Sequence, residues 1–306
     1  MRLHLLQWLR LSKKRPASMR PFPAFYGLLF LLVLVGVNAC VQDSSNPSQE
    51  FDCEDFAYSD TLFYISATEN RQISPVNVLG GVFSVSPEGL AIDPKSGVID
   101  VNASETGLKY KISFTPEGES VSCEQFVTIG GVNYADRVYI LNQNQIIASP
   151  IYNGVPGLPL PCEDDDDDDD DGDDDDSCEF DAENPSGQLL KDLGFEIDSK
   201  GNFDLQKTVE NGTFGSTPIN GQILDVELFY QLPDLSGSAL NSLPMRFFYY
   251  ETLADVPQEL LDDIEEKNEL INALRSGNSA NFRTLSTTRP VGKPRPPFVV
   301  IVARFE

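Results

Sequence analysis

Residues 83–114 read FSVSPEGLAIDPKSGVIDVNASETGLKYKISF, and this stretch decides the fold. Its last strand candidate is the clearest. Leu108, Tyr110, Ile112 and Phe114 point one way, and Lys109, Lys111 and Ser113 point the other. Alternation with period two marks a strand with one buried face. Upstream, Gly89-Leu90-Ala91-Ile92-Asp93 and Val98-Ile99-Asp100-Val101 are two short strands. Between them lies Pro94-Lys95-Ser96-Gly97, in which Pro presets φ at the first corner and Gly accepts a left-handed one. A further strand opens at Gly80-Gly81-Val82-Phe83-Ser84-Val85. Short alternating runs divided by turn residues continue over 60–145, the pattern of an all-β sandwich.

The stretch resembles a bacterial Ig-like repeat related to cadherin-like domains. Gly89, Leu90, Ile92, Asp93, Gly97, Ile99 and Gly107 carry the resemblance. It implies an Ig-like β-sandwich over 59–150 that serves adhesion, spacing or presentation at a bacterial surface. No D-x-N-D type run accompanies it, so calcium-dependent adhesion is not implied. Asp93 and Asp100 are expected to hydrogen-bond turns and strand edges.

Outward from the sandwich, both directions lead to special segments. Ala24–Ala39, AFYGLLFLLVLVGVNA, is an apolar run behind a basic flank, the plan of an export signal. Val37-Asn38-Ala39-Cys40 resembles a bacterial lipobox, although Asn38 departs from the usual Ser or Ala. The resemblance implies that 1–39 is removed and that Cys40 carries the lipid, which places the chain at the cell envelope, on the outer membrane or cell surface. Residues 40–58 would be the tether. Met19 starts a more compact signal, so 1–18 reads as a mis-assigned start. A single uncleaved transmembrane anchor is the alternative, since the run is close to the lower length limit for spanning.

On the other side, residues 163–176 read EDDDDDDDDGDDDD, thirteen acids in fourteen residues. Such a run repels itself and buries nothing, so it is expected to be a disordered loop within a linker over 151–178. Asp167, Asp169, Asp171 and Gly172 fit the opening of an EF-hand, but the position requiring a bidentate Glu is Cys178. The expectation is no cofactor and no specific metal site, with loose Ca²⁺ association at most. Cys53, Cys123, Cys162 and Cys178 are the remaining cysteines, an even number that suits an oxidising compartment. Proximity favours Cys162–Cys178 and leaves Cys53–Cys123. Metal-binding thiolates are the rival, without any Cys-x-x-Cys pair to support them.

Residues 179–306 are expected to form a separate α+β domain with one amphipathic helix. Residues 194–205 echo the 89–101 hairpin with one residue fewer. Residues 222–232 and 243–253 are partner strands, and Phe247, Phe248, Tyr249 and Tyr250 make an aromatic cluster read as core. Asp255, Pro257 and Gln258 open the helix, with Asp255 as cap. Leu260, Ile264, Ile271 and Leu274 repeat at helical spacing, and Gly277 closes it. Phe298–Val302 is apolar on both faces, as a central strand would be. Arg283, Arg289, Lys293 and Arg295 fall in a Pro-rich stretch before it.

Composition narrows the function. The net charge is −26, from 48 acids and 22 bases. The leader holds six of those bases and no acid, so a chain starting at Cys40 carries −32. The single histidine is His4 and the single tryptophan is Trp8, both in the leader. A chain without His has no Ser-His-Asp triad, no Cys-His pair and no His-bound zinc. Too few clustered bases remain for nucleic acid. The expectation is a non-enzymatic envelope lipoprotein with a binding, adhesion or structural role. It would meet the membrane through its anchor and a surface protein or glycan through its folded part. A carbohydrate-active enzyme using carboxylates alone and a calcium-dependent adhesion protein are the alternatives.

Overall fold

Seven strands build the first core of the computed structural model, which describes residues 52–77, 80–162, 177–276 and 296–303. They are β1 (Leu62–Phe63), β2 (Gln72–Ile73), β3 (Gly81–Ser86), β4 (Ala91–Ile92), β5 (Ile99–Asp100), β6 (Leu108–Pro116) and β7 (Cys123–Ile129). One sheet runs β1-β7-β6-β3 and the other β2-β5-β4. Lettered in chain order, these are AGFC and BED. That is the strand order of an immunoglobulin-type Greek key with the first strand moved to the CFG sheet. β1 runs parallel to β7, while β6 is antiparallel to both β3 and β7. Ile99, Tyr110, Ile112, Phe114, Val127 and Ile129 fill the interior.

The turn between β4 and β5 forms as its residues dictate. The Asp93 carboxylate accepts from the backbone N–H groups of Lys95 and Ser96 at 3.0 and 2.7 Å, and Gly97 takes φ +70°. Those N–H groups, Ser96's foremost, hold the Asp93 carboxyl below its ordinary pKa. Phe56 and Tyr58 differ from the expected tether, because both are buried in the sandwich core. Phe56 lies 5.3 Å from Phe114 between ring centroids, and Cys53 is bonded to Cys123 at the start of β7.

Past β7 the chain changes core. β8 (Val132–Tyr134), β9 (Arg137–Ile140) and β10 (Ile147–Ala148) lie inside the expected 59–150 module, and β11 (Pro150–Tyr152) crosses its boundary. Yet Val132, Tyr134, Tyr139, Ala148 and Tyr152 pack with residues beyond 178. The hinge is Gly130-Gly131. A Cβ on Gly130 would sit 2.3 Å from the Tyr64 ring, and Gly131 takes φ +126°. Short alternating strands look alike whichever sheet receives them, so the pattern over 60–145 could not mark this change.

The main sheet of the second core comprises β12 (Glu179–Phe180), β14 (Gln222–Gln231), β15 (Asn241–Tyr250) and β16 (Phe298–Val302), with β9 on its far edge. β13 (Phe203–Asp204) pairs with β10 instead. The order is β12-β14-β15-β16-β9, and β16 is parallel to both neighbours. The expected separate domain is therefore joined to the first by a strand, and Phe51–Glu306 forms one compact unit. The aromatic run divides by alternation. Phe247 and Tyr249 enter the larger core, while Phe248 and Tyr250 face helix α2 (Gln258–Ser276). The short helix α1 (Leu205–Glu210) follows β13, capped by the Asp204 carboxylate on the Lys207 N–H at 2.9 Å. Upstream of it, Asp198 repeats the Asp93 turn, accepting from Lys200 and Asn202 N–H groups, with Gly201 at φ +74°.

α2 lays Leu260 and Ile264 on the sheet and Ile271 against the sandwich core, and its acids at 262, 263, 265, 266 and 269 are exposed. Its entry differs from expectation. The Asp255 carboxylate caps backwards, accepting from the Thr252 N–H and hydroxyl at 3.0 and 2.8 Å across a single 3₁₀ turn. Asp136, wholly buried, anchors the same region. Its Oδ1 is 3.1 Å from Lys267 Nζ and accepts from the Phe298 N–H at 3.1 Å.

Candidate functional site

Where the two cores meet, a cleft of about 400 Å³ opens. One wall is the 101–106 segment that follows β5. It is held rigidly by its own polar groups. Asn102 donates to the carbonyls of Ser66 and Glu69 at 2.8 and 3.1 Å and accepts from the Ser66 N–H. Ser104 donates to Asp100 O at 2.6 Å and accepts from the Ala91 N–H. Asp100 accepts from the Ala103 N–H, the local bonding role expected of it.

The opposite wall is the hairpin of β14 and β15, with Glu227 in register with Pro244. Leu240, Asn241 and Ser242 line its end, and Ile65 and Pro296 complete the lining. A buried tyrosine welds the walls. The Tyr230 hydroxyl is 2.6 Å from Thr106 Oγ1 and accepts from the Val132 N–H at 3.0 Å. Burial holds that phenol far above its ordinary pKa, so it stays protonated. Asn133 adds a second weld, donating to Glu105 Oε1 at 2.9 Å and to Thr106 O at 3.2 Å.

The lining is rich in acceptors. Glu105 and Glu227 supply carboxylates, and no lining residue is cationic. Asn241 is 3% exposed; its amide donates to Ala239 O, while its Oδ1 accepts no hydrogen bond among the described residues. A buried carbonyl left unbonded costs roughly 1–3 kcal/mol. The nearby Arg246 does not serve the cleft. It grips Asp225 with two bonds of 2.6 and 2.9 Å, and that grip holds the Asp225 carboxyl below its usual range.

Of the residues singled out in the sequence, the four cysteines pair as Cys53–Cys123 and Cys162–Cys178. The second bond holds the Cys162 and Cys178 Cα atoms 5.2 Å apart. Cys40, Asp167, Asp169 and Asp171 lie outside the described residues, as do Arg283, Arg289, Lys293 and Arg295. Among the described residues no group of three or more His, Cys, Asp or Glu could hold a metal ion, and no helix is long and apolar enough to cross a membrane. Sequence reasoning missed Glu105, Glu227 and Asn241. The one available signal was Asn241 itself, a polar residue opening a strand whose next inward positions are Leu243 and Met245.

No protein-family profile matches the chain, and no curated protein sequence matches it. Solved structures give distant likenesses. Human protocadherin-24 EC1-2 is 12% identical over 63% of this chain and 94% of its own, with a TM-score of 0.21. A SusE-like, surface-located polysaccharide-binding protein from the Bacteroides thetaiotaomicron heparin utilisation locus is 13% identical over 64% and 89%, with a TM-score of 0.19. Such values assign neither a family nor a function.

Proposed function

We propose that the protein is an exported, lipid-tethered envelope protein that binds a neutral, hydroxyl-rich glycan in the cleft between its two cores. It performs no covalent chemistry there. The observation that carries this reading is a lining that brings Glu105, Glu227 and the unbonded Asn241 Oδ1 together with no cation among them. Sugar hydroxyls are donors that such a lining orients, and apolar Ile65, Leu240, Pro244 and Pro296 suit the C–H faces of a ring. The two carboxylates repel anionic sugars. Disulfides support an oxidising compartment, and the lipobox at Cys40 supplies the anchor. The Ig-like sandwich serves as the rigid wall that presents the 101–106 segment.

Titration calorimetry of the full chain in detergent against neutral and acidic oligosaccharides tests the cleft. Neutral ligands should bind, and Glu227→Gln with Asn241→Leu should weaken them at least about tenfold, or 1.4 kcal/mol. Acidic oligosaccharides binding as tightly as neutral ones and weakened in step by the same two substitutions would refute the reading. Intact-mass analysis of membrane-extracted protein tests the anchor, and residues 1–39 still attached would refute it.

A second reading rests on the same two glutamates. Paired carboxylates facing one cleft are the equipment of a glycosidase. Release of reducing ends from a bound oligosaccharide, abolished in Glu105→Gln and Glu227→Gln alike, would favour hydrolysis over binding.

A further inference from the structure

A second cavity, of about 430 Å³, lies on the outer face of the sandwich and is lined by Thr61, Lys109, Phe126, Thr128 and the 153–156 segment. The strand register assembles it. Lys109 on β6 is directly opposite Thr128 on β7, and Thr128 is opposite Leu62 on the next strand. The ammonium of Lys109 sits 5.0 Å from the centre of the Phe126 ring. Two residues along, Lys111 is neutralised by Glu124 at 2.9 Å. Lys109 has no carboxylate partner among the described residues, in a chain with more than twice as many acids as bases.

The far wall belongs to the other core. Gly154, at φ +68°, approaches so closely that a Cβ would lie 3.2 Å from the Lys109 backbone nitrogen. Asn153 is held by bonds to Gly131 N and the Tyr64 hydroxyl, so this wall is fixed in place. The Thr61 and Thr128 hydroxyls make no side-chain bond among the described residues.

We propose that this cavity binds a single carboxylate-bearing sugar, a hexuronate unit. Lys109 would meet the carboxylate, Thr61 and Thr128 the ring hydroxyls, and Val155 and Pro156 the C–H face. A half-buried ammonium binds a carboxylate more strongly than an exposed one does, because less water competes. The acidity of the whole chain repels polyanions, so the ligand carries one acidic unit and not a run of them. This site is separate from the cleft and uses the opposite charge.

The test is calorimetry, or ligand-observed NMR, on the full chain in detergent with glucuronate, glucose and acetate. Glucuronate should bind about tenfold more tightly than either of the others. Lys109→Met should reduce it to the level of glucose, and Lys109→Arg should restore most of the difference. Circular dichroism melting checks that each variant is folded. Glu227→Gln should leave glucuronate binding unchanged, which separates this site from the cleft. Unchanged binding in Lys109→Met, acetate binding as tightly as glucuronate, or no glucuronate binding at all would overturn the proposal.

Discussion

Replacing Tyr230 with Phe removes one oxygen and tests the weld between the two cores. The ring is fully buried and stacks on Phe180 with centroids 5.9 Å apart, so Phe keeps the packing. The lost hydroxyl serves the Val132 N–H at 3.0 Å and Thr106 Oγ1 at 2.6 Å. Val132 is fully buried and Thr106 is nearly so. Stranding the N–H costs about 1–3 kcal/mol and the lost hydroxyl bond about 1 more. The expected loss is about 3 kcal/mol, or roughly 6–12 °C in Tm for a unit of this size. Urea unfolding followed by far-ultraviolet circular dichroism measures it. The slope with urea should not change, because the strand pairing of β9 with β16 still joins the halves. Tyr250→Phe is the control, since that hydroxyl makes no hydrogen bond among the described residues; it should shift stability by less than about 0.5 kcal/mol. A loss below about 1 kcal/mol for Tyr230→Phe, or one equal to the control, would refute the weld.

Three further perturbations probe other contacts. Lys267→Met takes a cation from buried Asp136 and should lower stability by urea unfolding; the double variant with Asp136→Asn should regain part of it. The disulfides should rank by loop length. Replacing Cys53 and Cys123, 70 residues apart, should cost about 4 kcal/mol, and replacing Cys162 and Cys178, 16 apart, about 3. Acid should destabilise the fold below about pH 4. Asp225, Asp255 and Asp93 are all held below the ordinary carboxylate pKa, so the unfolded chain binds more protons. Their stabilisation is present above that value and lost as pH falls through the folded ones. Denaturation midpoints at stepped pH should show it, with a shallower fall in Asp225→Asn.

The sandwich was legible because its signals are local. Period-two alternation over 108–114 assigns a buried face, and Asp93 with Gly97 specifies a turn within five residues. Cys162–Cys178 follows from proximity in the same way. The change of core at Gly130-Gly131 was not legible, because it depends on β9 pairing with a strand some 160 residues later. Alternation states that Arg137–Ile140 is a strand and says nothing about which edge will accept it. Asp255 shows a subtler failure. An acid before Pro257 suits a forward cap, but Thr252 three residues upstream offers a competing reciprocal partner, and it wins. The cleft was the least legible of all. Glu105 and Glu227 belong to different cores, and only the closure of one core against the other makes them neighbours.

That dependence ties binding to cohesion. A cleft on one core would survive loosening of the other, whereas this one has Thr106 on one wall and Tyr230 behind the opposite wall, joined by a single short bond. The Tyr230→Phe variant should therefore lose cleft affinity as well as stability, even at temperatures where it is fully folded. Lys109 and its cavity give the contrast. Thr61, Lys109, Phe126 and Thr128 all belong to the sandwich, and only the 153–156 wall comes from elsewhere. Asn153 is pinned to Tyr64 as well as to Gly131, and only the Gly131 anchor adjoins the Tyr230 hydroxyl. Glucuronate affinity should thus fall less than neutral-glycan affinity in Tyr230→Phe. Parallel losses at both sites would mean that the two cores move as one body and that the Thr106–Tyr230 bond is not the particular hinge of the cleft.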